Sequence, residues 1–139
     1  EETRLLAQHF IHAQQPEEII FVRGVTEAIN LVAASYGRTF LHAGDEILIS
    51  GLEHHSNIVP WQMLCQRTGA SLEIIPIHED GTFDMDAYQG MLDESVKLVA
   101  ISHVSNALGT VNPVSTIISI FFMSIFSSPV VKQQIIYFK

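Results

Sequence analysis

The stretch that decides the fold is DEILISGLEHHSN, residues 45–57. Its first half is a short apolar run, and its second half is polar, with two adjacent histidines that follow a glutamate. A short apolar run bounded by glycine and polar residues predicts a buried β-strand over 45–50. The imidazoles of His54 and His55 are therefore expected at the end of a strand, at one edge of a sheet.

Similar apolar runs recur on both sides of this strand, and helical patterns separate them. Strands that alternate with helices of about a dozen residues predict an α/β fold with a doubly wound, mainly parallel sheet. Strands that are apolar throughout fit a sheet that helices cover on both faces. The predicted strands are 17–22, 45–50, 71–77 and 97–102, and the predicted helices are 2–13, 26–37, 57–68 and 84–94.

Residues with known capping preferences mark the ends of these helices. Thr26 and Asp84 suit helix starts, because their side-chain oxygens can accept from free backbone N–H groups. Gly37 and Gly69 suit helix ends, because glycine adopts the left-handed conformation at little cost. The caps thus support the predicted helix boundaries.

Composition limits the class of protein. The 139 residues suit one domain with a single core, and the net charge of −8 argues against nucleic-acid binding, which needs a basic surface. The single cysteine, Cys65, excludes a disulfide within this chain and fits a reducing compartment such as the cytoplasm. Because Cys65 falls within a predicted helix, we expect a packed thiol rather than a nucleophile.

The charge is unevenly distributed along the chain. No Asp, Glu, Lys or Arg occurs between Lys97 and Lys132. Residues 114–131 approach the roughly 20 apolar residues of a membrane span, but serines and a proline dilute the run, so we expect no span. The alternative is that 114–126 forms the next crossover helix, although the segment is apolar all round.

Polar residues follow three predicted strands, in the segments RGVTEAIN (23–30), EHHSN (53–57) and HVSNALGT (103–110). In open parallel sheets, ligands bind outside the carboxyl ends of the strands, so we expect these segments to converge. Thr26 opens a helix, and a helix start is a natural anion site. His54 can stack on a flat ring or move a proton, and Asn106 can hydrogen-bond a ligand.

Each of these residues also has a purely structural alternative. Thr26 can cap its own helix, the histidine pair can belong to an ordinary surface loop, and Ser105-Asn106 can form an Asx turn. A metal site at His54 and His55 is disfavoured, because adjacent histidines rarely reach one ion and no further ligand set follows. The residues alone leave the structural alternatives open.

Three segments, taken together and in this order, resemble the Suf-type cysteine desulfurases, also called the cysteine desulfurase/selenocysteine lyase group. They are FVRGVTEAINLVA (21–33), GDEILISGLEHHSNIVPWQMLC (44–65) and LVAISHVSNALGTVNPV (98–114). This group belongs to the class V, fold-type I enzymes that use pyridoxal 5′-phosphate (PLP). The resemblance covers residues 1–115 and implies a piece of the large PLP-binding domain, followed by an aberrant apolar tail over 116–139 outside the family pattern.

The resemblance implies roles for three residues. His54 matches the histidine that stacks on the pyridine ring of the cofactor and assists proton transfer. Thr26 matches a residue at the phosphate-binding helix start, and Asn106 matches the asparagine near the ring hydroxyl and the substrate carboxylate. Val25 stands where the group usually has a second threonine, so one phosphate contact is expected to be missing. His55 receives no role.

The family reaction converts L-cysteine to L-alanine and leaves the sulfur as an enzyme-bound persulfide. The sulfur then passes to a Suf-type acceptor protein for iron–sulfur cluster assembly. L-selenocysteine is an alternative substrate, and family members are homodimers. The resemblance therefore implies a cytoplasmic enzyme with PLP as its cofactor.

Two groups that this chemistry needs do not occur in the sequence. The family's lysine that bonds the cofactor lies beyond the HVSN segment, and the chain has only Lys97, Lys132 and Lys139. The family's persulfide-carrying cysteine does not match Cys65. We therefore expect the isolated chain to be inactive. The alternatives are a non-enzymatic fragment that associates with membranes through 114–131, or another class V, aminotransferase-like enzyme.

Overall fold

The computed structural model describes residues 1–125 and 134–138, and it describes side chains for residues 1–124. In these ranges the helices are α1 (Glu2–Ile11), α2 (Val25–Val32), α3 (Arg38–Phe40), α4 (Val59–Thr68), α5 (Met85–Met91) and α6 (Val114–Ile125). The strands are β1 (Glu46–Ser50), β2 (Ser71–Ile75), β3 (Val96–Ser102) and β4 (Gln134–Phe138). Short 3-10 turns cover Pro16–Glu18 and His55–Asn57, and a π-helical segment, Ala33–Gly37, joins α2 to α3.

The described strands form one parallel sheet in the order β2–β1–β3–β4. From β1 the chain passes through α4 to β2 on one side, and from β3 it passes through α6 to β4 on the other side. The sheet therefore grows in opposite directions from β1 and β3. A crevice forms at such a switch point, outside the carboxyl ends of the strands. The residues that follow Ser50 and Ser102 lie at this crevice.

Helices cover both faces of the sheet, which confirms the predicted doubly wound α/β fold. Alternate side chains of β1 point to opposite faces, as the two-residue period of a strand requires. Ile47 and Ile49 belong to one core with Trp61 of α4, and Leu48 belongs to the other core with Phe121 of α6. All five side chains are almost fully buried. β1 is apolar throughout because it is buried on both sides.

Two predicted helix caps are confirmed. Gly69 ends α4 in the left-handed conformation, with φ of 79°, and its N–H donates to the carbonyl of Cys65 over 2.9 Å. Asp84 begins α5, where its carboxylate accepts from the N–H of Ala87 over 2.9 Å. Both signals are local, which is why the sequence alone predicted them.

The segment 17–22 is not a strand, contrary to the prediction. Pro16–Glu18 forms a 3-10 turn. After it Ile19 is buried, whereas Ile20 is 64% exposed and Phe21 is 58% exposed. A strand needs a neighbour that takes up its backbone hydrogen bonds. No strand lies beside this segment in the described part of the chain.

The helix predicted over 26–37 begins earlier and runs further. It begins after Gly24 as α2 and continues through the π-helical segment into α3. Gly37 therefore lies inside helical structure and does not end it. A Cβ at this position would overlap the side chain of Leu64, so glycine allows α4 to pack closely here.

The apolar segment from residue 114 forms α6 and is followed by β4, which confirms the alternative of a crossover helix. Ile117 and Phe121 are buried, whereas Met123 is 77% exposed. β4 pairs in parallel with Leu98–Ser102, the last five residues of β3. Residues 126–133 and 139 lie outside the described residues. Within the described ranges, no helix is long and apolar enough to cross a membrane.

Candidate functional site

A cleft of about 370 Å³ lies between the loops that follow β1 and β3, at the switch point of the sheet. It brings together His54 and Asn106, which are two of the three residues predicted from the sequence. The residues that line it are Gly51, Leu52, Glu53, His54, His55, Ile77, Ser105, Asn106, Ala107 and Leu108. The expected convergence of strand ends is confirmed for these two loops.

The turn that follows His54 orients its ring. Nδ1 accepts from the backbone N–H of Ser56 over 3.2 Å and lies 3.0 Å from Ser56 Oγ, so His54 caps the 3-10 turn. An accepting Nδ1 leaves the proton of the neutral ring on Nε2. The ring of His55 stands edge-on to it, with 5.8 Å between centroids. His54 therefore has a defined tautomer and ring orientation.

Asn106 lies at the tip of a turn that its neighbour closes. Ser105 is buried, and its Oγ accepts from the N–H groups of Ala107 and Leu108 over 3.3 and 3.2 Å. The hydroxyl of Thr110 donates to the carbonyl of Gly81 over 3.0 Å, which ties the loop to the turn after β2. The exposed side chain of Asn106 makes no hydrogen bond with the described residues. Its amide is thus available to a ligand.

Thr26, the third predicted residue, does not line the cleft. Gly24 occupies the N-cap position of α2 and Thr26 lies inside the helix, so the alternative that Thr26 caps its own helix is wrong. The Thr26 hydroxyl is exposed and has no partner among the described residues. α2 contacts the 3-10 turn after His54, which places this helix beside the loop that carries His54.

The side chain of Glu27 bonds to Arg23 at the start of α2. The Glu27 carboxylate accepts from the backbone N–H of Arg23 over 2.7 Å, and its Oε2 lies 3.1 Å from Arg23 Nε. The hydrogen bonds from Arg23 lower the pKa of Glu27. The bond from the backbone N–H of Arg23 ties the residue before Gly24 to the first turn of α2, while the exposed ion pair itself adds little.

Glu53 is the residue that the sequence reasoning missed. Its carboxylate accepts from Ser50 Oγ (2.5 Å), from the backbone N–H of Ser102 (2.9 Å), from Ser102 Oγ (2.6 Å) and from Asn57 Nδ2 (2.8 Å). It therefore joins the ends of β1 and β3 directly. The available signal was a carboxylate placed immediately after a buried strand.

Other reactive groups lie away from the cleft. Lys97 is near the start of β3, at the opposite end of the sheet, where its Nζ lies 3.9 Å from Asp45 Oδ1. Lys132 and Lys139 lie outside the described residues. Cys65 lies on α4 and is buried in the core, which confirms the packed thiol, and this burial raises its pKa. In the ranges that the structure describes, no cluster of His, Cys, Asp or Glu could hold a metal ion.

A parallel sheet with a polar cleft at its switch point is the arrangement of ligand-binding domains in doubly wound α/β proteins. Within that class, the profile of the aminotransferase class-V family matches residues 1–123. The chain therefore belongs to this family, and the predicted resemblance to class V enzymes is confirmed. The predicted domain boundary at residue 115 stays a prediction.

Relatives in this family are cysteine desulfurases. The chain is 56% identical over 119 residues to a cysteine desulfurase of Cronobacter sakazakii, which covers 86% of this chain and 29% of the relative. The cysteine desulfurase CsdA of Escherichia coli, in an S-sulfonic acid form, superposes with a TM-score of 0.85 at 29% identity, covering 96% of this chain and 32% of that one. The apo cysteine desulfurase of Thermococcus onnurineus gives 0.84 at 33% identity, covering 98% and 32%. The chain thus spans less than a third of the length of these relatives.

Proposed function

We propose that the chain carries part of the PLP-binding domain of a Suf-type cysteine desulfurase. The observation that carries this proposal is the meeting of His54 and Asn106 in one cleft at the switch point of the sheet. Class V aminotransferases and cysteine desulfurases use PLP, and the chain is similar to both in sequence. The cleft is therefore proposed as the site of the cofactor ring.

The residues present suit three parts of PLP. The imidazole of His54 offers a flat face to the pyridine ring, and the available amide of Asn106 can donate to the ring hydroxyl. The exposed start of α2, with the Thr26 hydroxyl, suits the phosphate. Val25 contributes only its backbone N–H there. When bound, PLP supplies an electron sink for the α-carbon of the substrate.

His54 is also proposed to move a proton. Because Nδ1 accepts from the Ser56 N–H, Nε2 is the ring atom that carries the exchangeable proton. The fixed turn after His54 keeps this tautomer in place. Proton transfer at Nε2 is the only catalytic step that we assign to a side chain of this chain.

For the whole protein we propose the family reaction. L-cysteine becomes L-alanine, and the sulfur remains as an enzyme-bound persulfide until an acceptor protein of the Suf type receives it. L-selenocysteine is proposed as a second substrate. A cytoplasmic homodimer is the proposed setting for this reaction.

We further propose that the 139-residue chain alone does not turn over cysteine. The chemistry needs a lysine that reaches the cofactor, and Lys97 lies at the far end of the sheet. Sulfur transfer needs a reactive thiolate, but burial raises the pKa of Cys65 and favours the inert thiol. The chain is proposed to supply cofactor binding, orientation and the proton transfer at His54, but neither the lysine nor the reactive thiolate.

The test is a PLP titration of the purified chain, followed by borohydride reduction and mass mapping of lysines. We expect reversible binding without a lysine adduct. His54→Ala should weaken the binding about fivefold, because it removes one ring-stacking contact. His9→Ala is the matched control, since His9 is an exposed histidine on α1. Equal affinities for the unaltered chain and His54→Ala would contradict the site, and an adduct at one lysine would contradict the inactivity.

A further inference from the structure

We propose that Glu53 is a positioning residue that clamps the loop carrying His54 onto the strand that leads to Asn106. That Glu53 holds this loop against β3 is inferred from the hydrogen bonds of Glu53 alone. Its consequence for cofactor binding rests on the function proposed above.

Both oxygens of the Glu53 carboxylate are used. Oε1 accepts from Ser50 Oγ and from the backbone N–H of Ser102, and Oε2 accepts from Ser102 Oγ and from Asn57 Nδ2. One side chain thereby connects the end of β1, the end of β3 and the 3-10 turn after His54. Hydrogen bonds to a charged acceptor are roughly twice as strong as neutral ones, so this connection is stiff.

Buried partners fix the direction of the clamp. Asn57 is 2% exposed, and its Oδ1 accepts from Trp61 Nε1 over 2.8 Å. Because the indole can only donate, the amide of Asn57 must turn its Nδ2 towards Glu53 and the carbonyl of Ala100. On the other side, the carbonyl of Ser102 accepts from Asn112 Nδ2 over 2.7 Å. Glu53 is thus anchored to the core of the molecule.

The clamp acts on both walls of the cleft. Glu53 directly precedes His54 in the chain, and the bonds to Ser50 and Asn57 close the segment 50–57 at both of its ends. Ser102 is the last residue of β3, and the loop that begins there carries Asn106. One carboxylate therefore bonds to both walls of the cleft, in addition to the pairing of β1 with β3 in the sheet.

A glutamine cannot replace this carboxylate. All four partners of Glu53 are donors, whereas a glutamine side chain has one accepting oxygen and one donating NH₂ group. The serine hydroxyls could accept from this NH₂ group, but the Ser102 N–H and Asn57 Nδ2 can only donate. In either orientation the NH₂ group would face one of these two donors, so at least one connection would be lost. Glu53→Gln is accordingly a change of nearly constant shape that opens the clamp.

The test measures PLP affinity and the induced circular dichroism of PLP for the full 139-residue chain and its variants. We expect Glu53→Gln to weaken binding by about tenfold, as the loss of charge-assisted hydrogen bonds implies, and to reduce the induced signal. Glu94→Gln is the matched control, because Glu94 is an exposed glutamate before β3 at the other end of the sheet. It should change neither quantity.

The double variant tests whether Glu53 acts through His54. In the His54→Ala background, Glu53→Gln should change PLP affinity by less than about twofold, because the residue that it positions is absent. A full tenfold loss in that background, or no loss in either, would overturn the proposal. Should Glu53→Gln fail to fold, Ser102→Ala removes a single donor and should give a smaller loss with the same dependence on His54.

A measurement without PLP separates this inference from the proposed function. In Glu53→Gln either amide exchange at the Ser102 N–H should accelerate about tenfold or more, or the side-chain amide resonances of Asn57 should shift, depending on which donor loses its acceptor. The ring resonances of His54 should shift in both cases, and Glu94→Gln should leave all three unchanged. Failure of the unaltered chain to bind PLP would refute the proposed function. The exchange and resonance measurements would then still test whether Glu53 positions the loop of His54. Unchanged exchange and unchanged ring resonances would refute the clamp itself.

Discussion

At the scale of single residues, two glycines show how backbone conformation decides the effect of a substitution. Gly69 ends α4 at a positive φ, and an added Cβ would lie 3.0 Å from the Cβ of Ala43. Gly90 lies near the end of α5, and an added Cβ would meet nothing within 4 Å. The same alanine meets strain at one position and open space at the other.

We expect Gly69→Ala to lower the free energy of unfolding by about 1–2 kcal/mol, the cost of a left-handed alanine. Gly90→Ala should raise it by about 0.5–1 kcal/mol, because alanine loses less backbone entropy in a helix. Urea unfolding followed by circular dichroism measures both, each variant serving as the control for the other. A loss of equal size in the two variants would contradict this account.

Residue by residue, the sequence predicted the site in part. His54 and Asn106 could be predicted because each follows an apolar run, and parallel strands bring such positions to one edge. Glu53 could not be assigned its role, because its four donors come from β1, β3 and a turn whose spatial arrangement only the fold defines. The roles of Thr26, His54 and Asn106 in cofactor binding stay predictions.

At the scale of elements, α6 shows that two neighbouring side chains of the same type can contribute differently to stability. Phe121 is fully buried in the core that α5 and α6 share, whereas its neighbour Phe122 is 42% exposed. The helix is apolar on both sides, so composition does not identify its buried face. The burial of each side chain in the structure identifies that face.

Phe121→Ala should lower the free energy of unfolding by about 3–5 kcal/mol, because it leaves a cavity in the core. Phe122→Ala should cost about 1 kcal/mol or less, as expected of a largely exposed side chain. Denaturant unfolding of the two variants gives the comparison. Similar losses for both would show that α6 does not pack as described.

Tyr88 joins α5 to α6 and makes stability depend on pH. Its hydroxyl donates to the carbonyl of Ile117 over 3.1 Å, and burial raises its pKa far above the ordinary value. Above about pH 10 the unfolded chain releases the phenol proton while the folded chain keeps it, so the free energy of unfolding falls as pH rises. In Tyr88→Phe the free energy of unfolding should change less between about pH 9 and pH 11. An unchanged pH dependence in Tyr88→Phe would exclude this source.

Elements whose ends depend on residues close in sequence were predicted correctly, whereas those that depend on residues distant in sequence were not. The end of α4 at Gly69 and the start of α5 at Asp84 depend on neighbours in sequence, and both were predicted. The segment 17–22 has the composition of a strand, but whether it pairs depends on a partner distant in sequence. Helical structure continues from α2 past Gly37 into α3, and the close approach of Leu64 that accounts for a glycine there comes from α4, so no local pattern reports it.

At the scale of the whole molecule, β4 is the edge strand of the described sheet on the side of β3. It covers β3 along Leu98–Ser102, a stretch that is apolar and central to both cores. Removing it would leave a long apolar strand with free backbone groups at an open edge, which promotes association between chains.

We expect deletion of 134–139 to lower the free energy of unfolding and to shift the chain towards aggregates in size-exclusion chromatography. Deletion of residue 139 alone is the control and should leave both properties unchanged. If the shortened chain eluted at the same volume as the unaltered chain and were equally stable, β4 would not be an integral part of the sheet.

The clamp at Glu53 also has a consequence for the order in which the molecule is assembled on the ribosome. Glu53 and Ser102 are 49 residues apart, so the glutamate emerges long before the strand that satisfies it, while β1 and β2 are already available to pair. Contacts of such long range form late, after shorter loops have closed. We therefore expect a stage in which β1 and β2 are paired while the Glu53 carboxylate still lacks its partners on Ser102. The arrival of β3 then adds a strand to the sheet and brings the second wall of the cleft next to His54.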